Sequence, residues 1–296
     1  MNINQRTSRM ERAGRDVRDH ADKLAQVVAD TWYGRHGSGD LEVPLSTVAA
    51  LALLTPPDTE RDGVALDWLN CTLDQFADWI RGLWAWFIVT RPDLFNRAWP
   101  LIEVWHGAQP IEDDTLRAAK AVADAVLRAD VLGLTGTYRR EEVDLLGVVL
   151  TVLRPPPALR ARGQFYTPAG VAELMAQMVG IPAEGTVIGD PAAGTGGMLR
   201  AAAAAMRESG RDPESAVWVA SDVDAMAIAC LAINVVLWRL GSAVLLGVGN
   251  ALLHDFWENA IQEREGPIRL VRDLRRERAM RDLLTAPIDE LLSRAS

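Results

Sequence analysis

The sequence predicts an α/β protein: a helical N-terminal domain over residues 1–158, then half of a doubly wound parallel sheet within residues 159–296. Three observations predict it. Apolar residues recur at helical spacing through the first half. The run Arg154-Pro155-Pro156-Pro157 then breaks that pattern and marks a domain junction. Beyond it, three short apolar segments alternate with long helical ones, the grammar of a βαβαβ unit with right-handed crossovers.

The elements follow in order. Val17, Ala21, Leu24 and Val28 form one apolar stripe on a charged helix. Pro44 to Leu54 predicts a second helix, stopped by Thr55-Pro56-Pro57. Residues 65–106 carry Trp68, Trp79, Trp84, Trp86, Trp99 and Trp105, read as core anchors between packed helices in preference to a ligand cage. Asp113 to Arg128 and Glu141 to Leu153 continue the helical pattern. Past the prolines, Thr167 is suited to cap a helix that has Pro168 at its first position. That helix carries an apolar face of Val171, Leu174, Met175, Met178 and Val179. Strands are expected at Thr186–Gly189, Ala216–Ala220 and Ala243–Val248. Helices are expected at Gly196–Arg207 and Asp224–Leu240, ended by Gly210 and Gly241.

Composition bounds the function. At 49% hydrophobic and 24% charged over 296 residues, the chain has an ordinary globular composition and is not a disordered one. Its longest apolar runs, Val48–Leu54 and Ala225–Leu237, are too short to span a bilayer. The N-terminus shows no secretory apolar stretch, so a cytoplasmic location is expected. Two cysteines, Cys71 and Cys230, make neither a disulfide framework nor a cysteine zinc site, and both are expected to be buried and inert. No metal site is expected. A formal charge of −9 disfavours tight nonspecific DNA binding by this chain alone. Lys23 and Lys120 are the only lysines among 31 basic residues. That bias suggests a GC-rich bacterial genome.

The chemistry concentrates at the strand ends. The first strand runs into Asp190-Pro191-Ala192-Ala193-Gly194-Thr195-Gly196-Gly197. Glycines at a strand-to-helix turn let the backbone approach a ligand, and Asp190 offers an acceptor for a cationic amino group. Asp222 ends the second strand, where an acid accepts hydrogen bonds from ribose hydroxyls. Asn250 follows the third strand and suits an adenine edge. All three converge on one crevice. They fit an adenosine-containing ligand without a diphosphate, and the lack of a Walker lysine disfavours nucleoside triphosphate hydrolysis.

Gly163-Gln164-Phe165-Tyr166-Thr167-Pro168, followed some twenty residues later by Asp-Pro-Ala-Ala-Gly-Thr-Gly-Gly, resembles the adenine-N6 DNA methyltransferase family. The likeness is to the modification subunits of type I restriction–modification systems. It covers roughly residues 140–252, and includes Asp144-Leu145-Leu146-Gly147 ahead of the junction. The resemblance implies a partial Rossmann-like domain that binds S-adenosylmethionine (SAM). Phe165, Tyr166 and Thr167 would close over its methionine part. Asp190, Ala192, Gly194 and Gly196 would form the main cradle. Asp222 would hold the ribose, Val223 would lie against the adenine, and Asn250 and Leu252 would meet the adenine edge and face. The family more often has Glu at the place of Asp222 and Asp at that of Asn250; both replacements keep hydrogen-bonding capacity.

The family's acceptor chemistry sits in an Asp/Asn/Ser-Pro-Pro-aromatic motif after a fourth strand. It holds the target amine in line with the methyl group and stacks the flipped base. Neither Thr55-Pro56-Pro57-Asp58 nor Arg154-Pro155-Pro156-Pro157 fits it, so no catalytic residue is assigned. Ile268-Arg269-Leu270-Val271 is too charged for a central strand, and Arg264 to Arg281 reads as a helix carrying seven arginines and three acids. The expected function is therefore a SAM-binding member of the family without its own catalytic loop, a pseudoenzyme or a subunit needing a partner. The alternatives are an active adenine-N6 methyltransferase with an atypical acceptor site, and a structural protein that has lost the cofactor. Without a fourth strand the first strand's edge is open, which predicts a homodimer or a catalytic or specificity partner.

Overall fold

The structure, a computed structural model, describes residues 3–154, 169–180, 184–253 and 256–285. The first part is a bundle of eight helices: α1 (Ile3–Arg35), α2 (Glu42–Ala52), α3 (Arg61–Asn70), α4 (Leu73–Thr90), α5 (Phe95–His106), α6 (Asp113–Arg128), α7 (Val131–Thr135) and α8 (Leu145–Leu153). Along α1, Val17, Ala21, Leu24, Val28 and Trp32 all turn inward, as their spacing requires. Helix α2 is apolar nearly all round and runs through the bundle, so its polar groups are paired: Ser46 Oγ donates to the Leu101 carbonyl at 2.6 Å and accepts from Trp105 Nε1 at 2.9 Å. Helix α4 opens on a capping box, with Thr72 Oγ1 accepting from Gln75 N and the Gln75 side chain accepting from Thr72 N.

The second part is α9 (Ala169–Val179), β1 (Val187–Asp190), α10 (Gly197–Glu208), β2 (Val217–Asp222), α11 (Ala225–Leu237), β3 (Val244–Val248) and α12 (Phe256–Thr285). The strands form one parallel sheet in the order β1-β2-β3, with Val187 opposite Val217 and Trp218 opposite Val244. The α/β class and the βαβαβ order are as the sequence predicts. Helix α11 joins the two parts. It buries every residue from Ala227 to Val235 and packs on α5 and α8 as well as on the sheet. A single buried cluster therefore runs from Val17 in the bundle to Leu246 in β3.

Some expectations are corrected. Trp68, Trp84 and Trp105 are core anchors, but Trp79 and Trp86 are exposed, the latter by 50%. The helix expected from Glu141 begins at Leu145, because the Asp144 carboxylate caps it by accepting from Gly147 N at 2.8 Å. Tyr138–Glu141 is a short 3₁₀ turn instead. Helix α9 seats Ala172 and Ala176 against Ala201 of α10, which leaves Val171, Leu174, Met175 and Met178 facing outward. Cys230 is buried as expected, with its thiol pushed well up by burial. Cys71 is only half-buried, its Sγ donating to the Trp68 carbonyl at 3.0 Å.

Candidate functional site

The carboxyl ends of the three parallel strands lie on one side of the sheet, where the turns after them face each other. Turn 190–197 is built from two left-handed residues, Gly194 at φ 53° and Gly196 at φ 96°. A side chain at Gly196 would meet Leu231 Cδ1 at 2.4 Å and Trp238 Cζ3 at 2.9 Å. The glycine thus lets the turn lie flat on α11 before α10 begins at Gly197.

Asp222 is the hub of the crevice. Its Oδ2 accepts from Gly194 N at 2.8 Å, its Oδ1 accepts from Asp224 N at 2.9 Å, and its backbone carbonyl accepts from Gly249 N at 2.9 Å. One residue at the end of β2 therefore fixes the turn after β1 and the turn after β3. Ser221 reinforces the first turn, its carbonyl accepting from Ala193 N at 2.9 Å and its hydroxyl donating to the Pro191 carbonyl at 3.1 Å.

Asp190 accepts from Ala192 N at 3.0 Å. Burial pushes its carboxyl above the usual carboxylate range, and the nearby charge of Asp222 adds to the rise. Asn250 closes the third turn by accepting from Leu252 N at 3.0 Å through its Oδ1. Beside these polar groups Val223 is 71% exposed and Leu252 90%, an apolar pair with no cover of its own. Ala192 is exposed on the rim. The structure thus brings Asp190, Ala192, Gly194, Gly196, Asp222, Val223, Asn250 and Leu252 to the same end of the sheet. Phe165, Tyr166 and Thr167 lie outside the described residues.

The donor set selects among ligands. Two carboxylates flank the turn, and residues 190–197 contain neither lysine nor arginine. A polyphosphate would meet repulsion there, whereas an ammonium and neutral hydroxyls would find acceptors. The exposed Val223 and Leu252 suit a planar apolar face. The residues present therefore fit SAM: an amino group, a ribose and an adenine with no phosphate. Among the described residues, no group of three His, Cys, Asp or Glu side chains is arranged to hold a metal ion.

Sequence reading missed a second layer beneath the turn. Asp144 receives Thr195 Oγ1 and Asn234 Nδ2, and Arg154 forms a buried two-pronged ion pair with Asp224. The cap pattern at Asp144-Leu145-Leu146-Gly147 was visible; its partners 51 and 90 residues away were not.

Residues 156–265 match the family model described as N-6 DNA methylase. No curated protein matches the chain. Six solved chains do. One is the crystal structure of the type I restriction-modification system methyltransferase subunit from Streptococcus thermophilus, 16% identical with a TM-score of 0.39. That alignment covers 77% of this chain and 59% of the subunit, so the chain spans about three fifths of its length.

Proposed function

We propose, from the match of residues 156–265 to the N-6 DNA methylase family model, that the crevice at the carboxyl end of the sheet binds S-adenosylmethionine. The observation that carries this reading is the Asp222 hub, which holds a glycine turn open beside a second carboxylate, Asp190, with no cation in the turn. Asp190 would receive the amino group and Asp222 the ribose hydroxyls, through the acceptor positions its two backbone donors leave. Val223 and Leu252 would cover the adenine, Asn250 would meet its edge, and Phe165, Tyr166 and Thr167 would close the methionine end. When bound, SAM supplies an electrophilic methyl group. The chain's own part is to orient that group and to shield it from water.

Neither Pro-Pro run of the sequence sits between a side-chain acceptor and an aromatic. In this reading the residues that hold the methyl acceptor come from outside these 296 residues. Residues 159–296 would serve as the donor-binding domain and residues 1–158 as its helical support. A second copy of the chain, or a catalytic or specificity partner, would join at the open edge of β1. No helix among the described residues is long and apolar enough to cross a membrane, and the reading places the protein in the cytoplasm.

The test is isothermal titration of the full chain with SAM, using Asp190→Ala as the control. Micromolar binding that the substitution abolishes is expected. Heat-silent wild type, checked by equilibrium dialysis with labelled SAM, overturns the reading. A methylation assay on unmethylated DNA, with and without candidate partners, then separates a donor-holding subunit from an autonomous enzyme.

A further inference from the structure

The glycine turn offers the protein interior only one side chain to hold. In Gly194-Thr195-Gly196-Gly197, Thr195 alone has a side chain, and it is 1% exposed, pointing away from the crevice. Its hydroxyl donates to Asp144 Oδ2. Its backbone carbonyl accepts from Asn234 Nδ2 at 2.9 Å, and the same amide donates to Asp144 Oδ1 at 2.8 Å. Asn234 Oδ1 is buried without a hydrogen-bond partner among the described residues, so its two donor bonds set its orientation.

Asp144 belongs to the helical part, and its neighbours brace the same region. The Glu142 carbonyl accepts from Arg200 Nη1 at 3.0 Å on α10. The Val143 carbonyl accepts from Trp238 Nε1 at 3.0 Å, and the Trp238 ring lies against Gly196. Residues 142–144 therefore touch the turn, the helix that leaves it and the residue just past α11.

We propose that Asp144 is a positioning residue for the methyl-donor site: acting through Thr195 and Asn234, it fixes the glycine turn in its binding conformation from the side opposite the ligand. This rests on the SAM reading above. It also makes donor binding depend on the helical part, which touches no ligand itself. The two left-handed glycines widen the conformations open to the turn; Asp222 and Ser221 hold it from the crevice side, and the Thr195 hydroxyl adds the anchor on the buried side.

The test compares SAM affinity of wild type, Thr195→Ser, Thr195→Val and the double variant Thr195→Val/Asp144→Asn. Titration is run well below each variant's unfolding temperature, with Asp190→Ala as the site control. Thr195→Val, of the same shape without the hydroxyl, is expected to weaken binding about tenfold, the worth of one such bond. Thr195→Ser should bind as wild type does, and adding Asp144→Asn to Thr195→Val should weaken it no further. Amide exchange at residues 193–197 should speed up in Thr195→Val and not in Thr195→Ser. Wild-type affinity in Thr195→Val, with Asp190→Ala still inactive in binding, overturns this inference and leaves the SAM reading standing. Equal weakening in Thr195→Ser also overturns it, since the hydroxyl would not be the anchor. A wild type that fails to bind SAM overturns both.

Discussion

Gly196 and Asp144 show how single residues set this site from its buried side. Replacing Gly196 by alanine forces a side chain into the left-handed region and onto Leu231 and Trp238, both fully buried. Gly196→Ala should lose about 2–4 kcal/mol of stability, read from urea unfolding, because strain and overpacking add. Asp144 predicts a pH effect of definite sign. Burial is the main cause of its raised pKa, opposed by bonds from Thr195, Gly147 and Asn234 and by the charge of Arg200. The charge of Asp144 in turn adds to the rise that burial imposes on the Cys230 thiol. A carboxyl with a raised folded pKa keeps its proton where the unfolded chain has released it. The resulting stabilisation is complete below the ordinary carboxylate range and is lost as pH rises through the folded value. Relative to Asp144→Asn, wild-type stability should therefore fall from acid toward neutral pH. A difference that stays flat or rises contradicts the assignment.

Among the elements, α11 joins the helical part to the sheet. Its start is tied to the end of the α8 segment by the Arg154–Asp224 pair, whose side chains are 4% and 6% exposed. Asp224 also caps the helix by accepting from Met226 N at 3.1 Å. Asp224→Asn keeps a cap and takes the carboxylate charge out of this buried pair. A loss of about 3–5 kcal/mol is expected by chemical denaturation. This element also marks how far the sequence could be read. Its run, apolar but for Asn234, announced a buried helix between two strands, and the strand ends at Asp190, Asp222 and Val248 fell where the apolar segments stop. The local rule that predicts strands and caps cannot see a bond such as Asp144 to Asn234, because the pairing depends on packing across the whole core. Helix α9 misled for the same reason. Its larger apolar residues promised a buried face, yet close approach to α10 favours the alanine face, and Leu174 and Met178 are left outside.

At the scale of the molecule, the two edges of the sheet are treated differently. The outer edge of β3 is blocked by guanidinium groups: Arg97 Nε donates to the Leu246 carbonyl and Arg264 Nε to the Val244 carbonyl, each at 2.9 Å. Blocking an edge with charged side chains is a standard defence against strand addition. The outer edge of β1 has no strand beside it among the described residues, and Val187 is 64% exposed there. The outward residues of α9 add Val171, Leu174, Met175 and Met178 to the exposed apolar surface of this part of the chain. An edge sealed on one side and left apolar on the other predicts association through β1. Light scattering should give a mass above the 32.4 kDa of one chain at micromolar concentration. Val187→Lys, which puts a charge on that edge and touches no residue of the donor site, should return the mass to a single chain and leave SAM affinity unchanged. If wild type alone is monomeric, with the amides of residues 187–189 already protected from exchange, the edge is covered within the chain. The acceptor machinery would then have to join the donor site elsewhere.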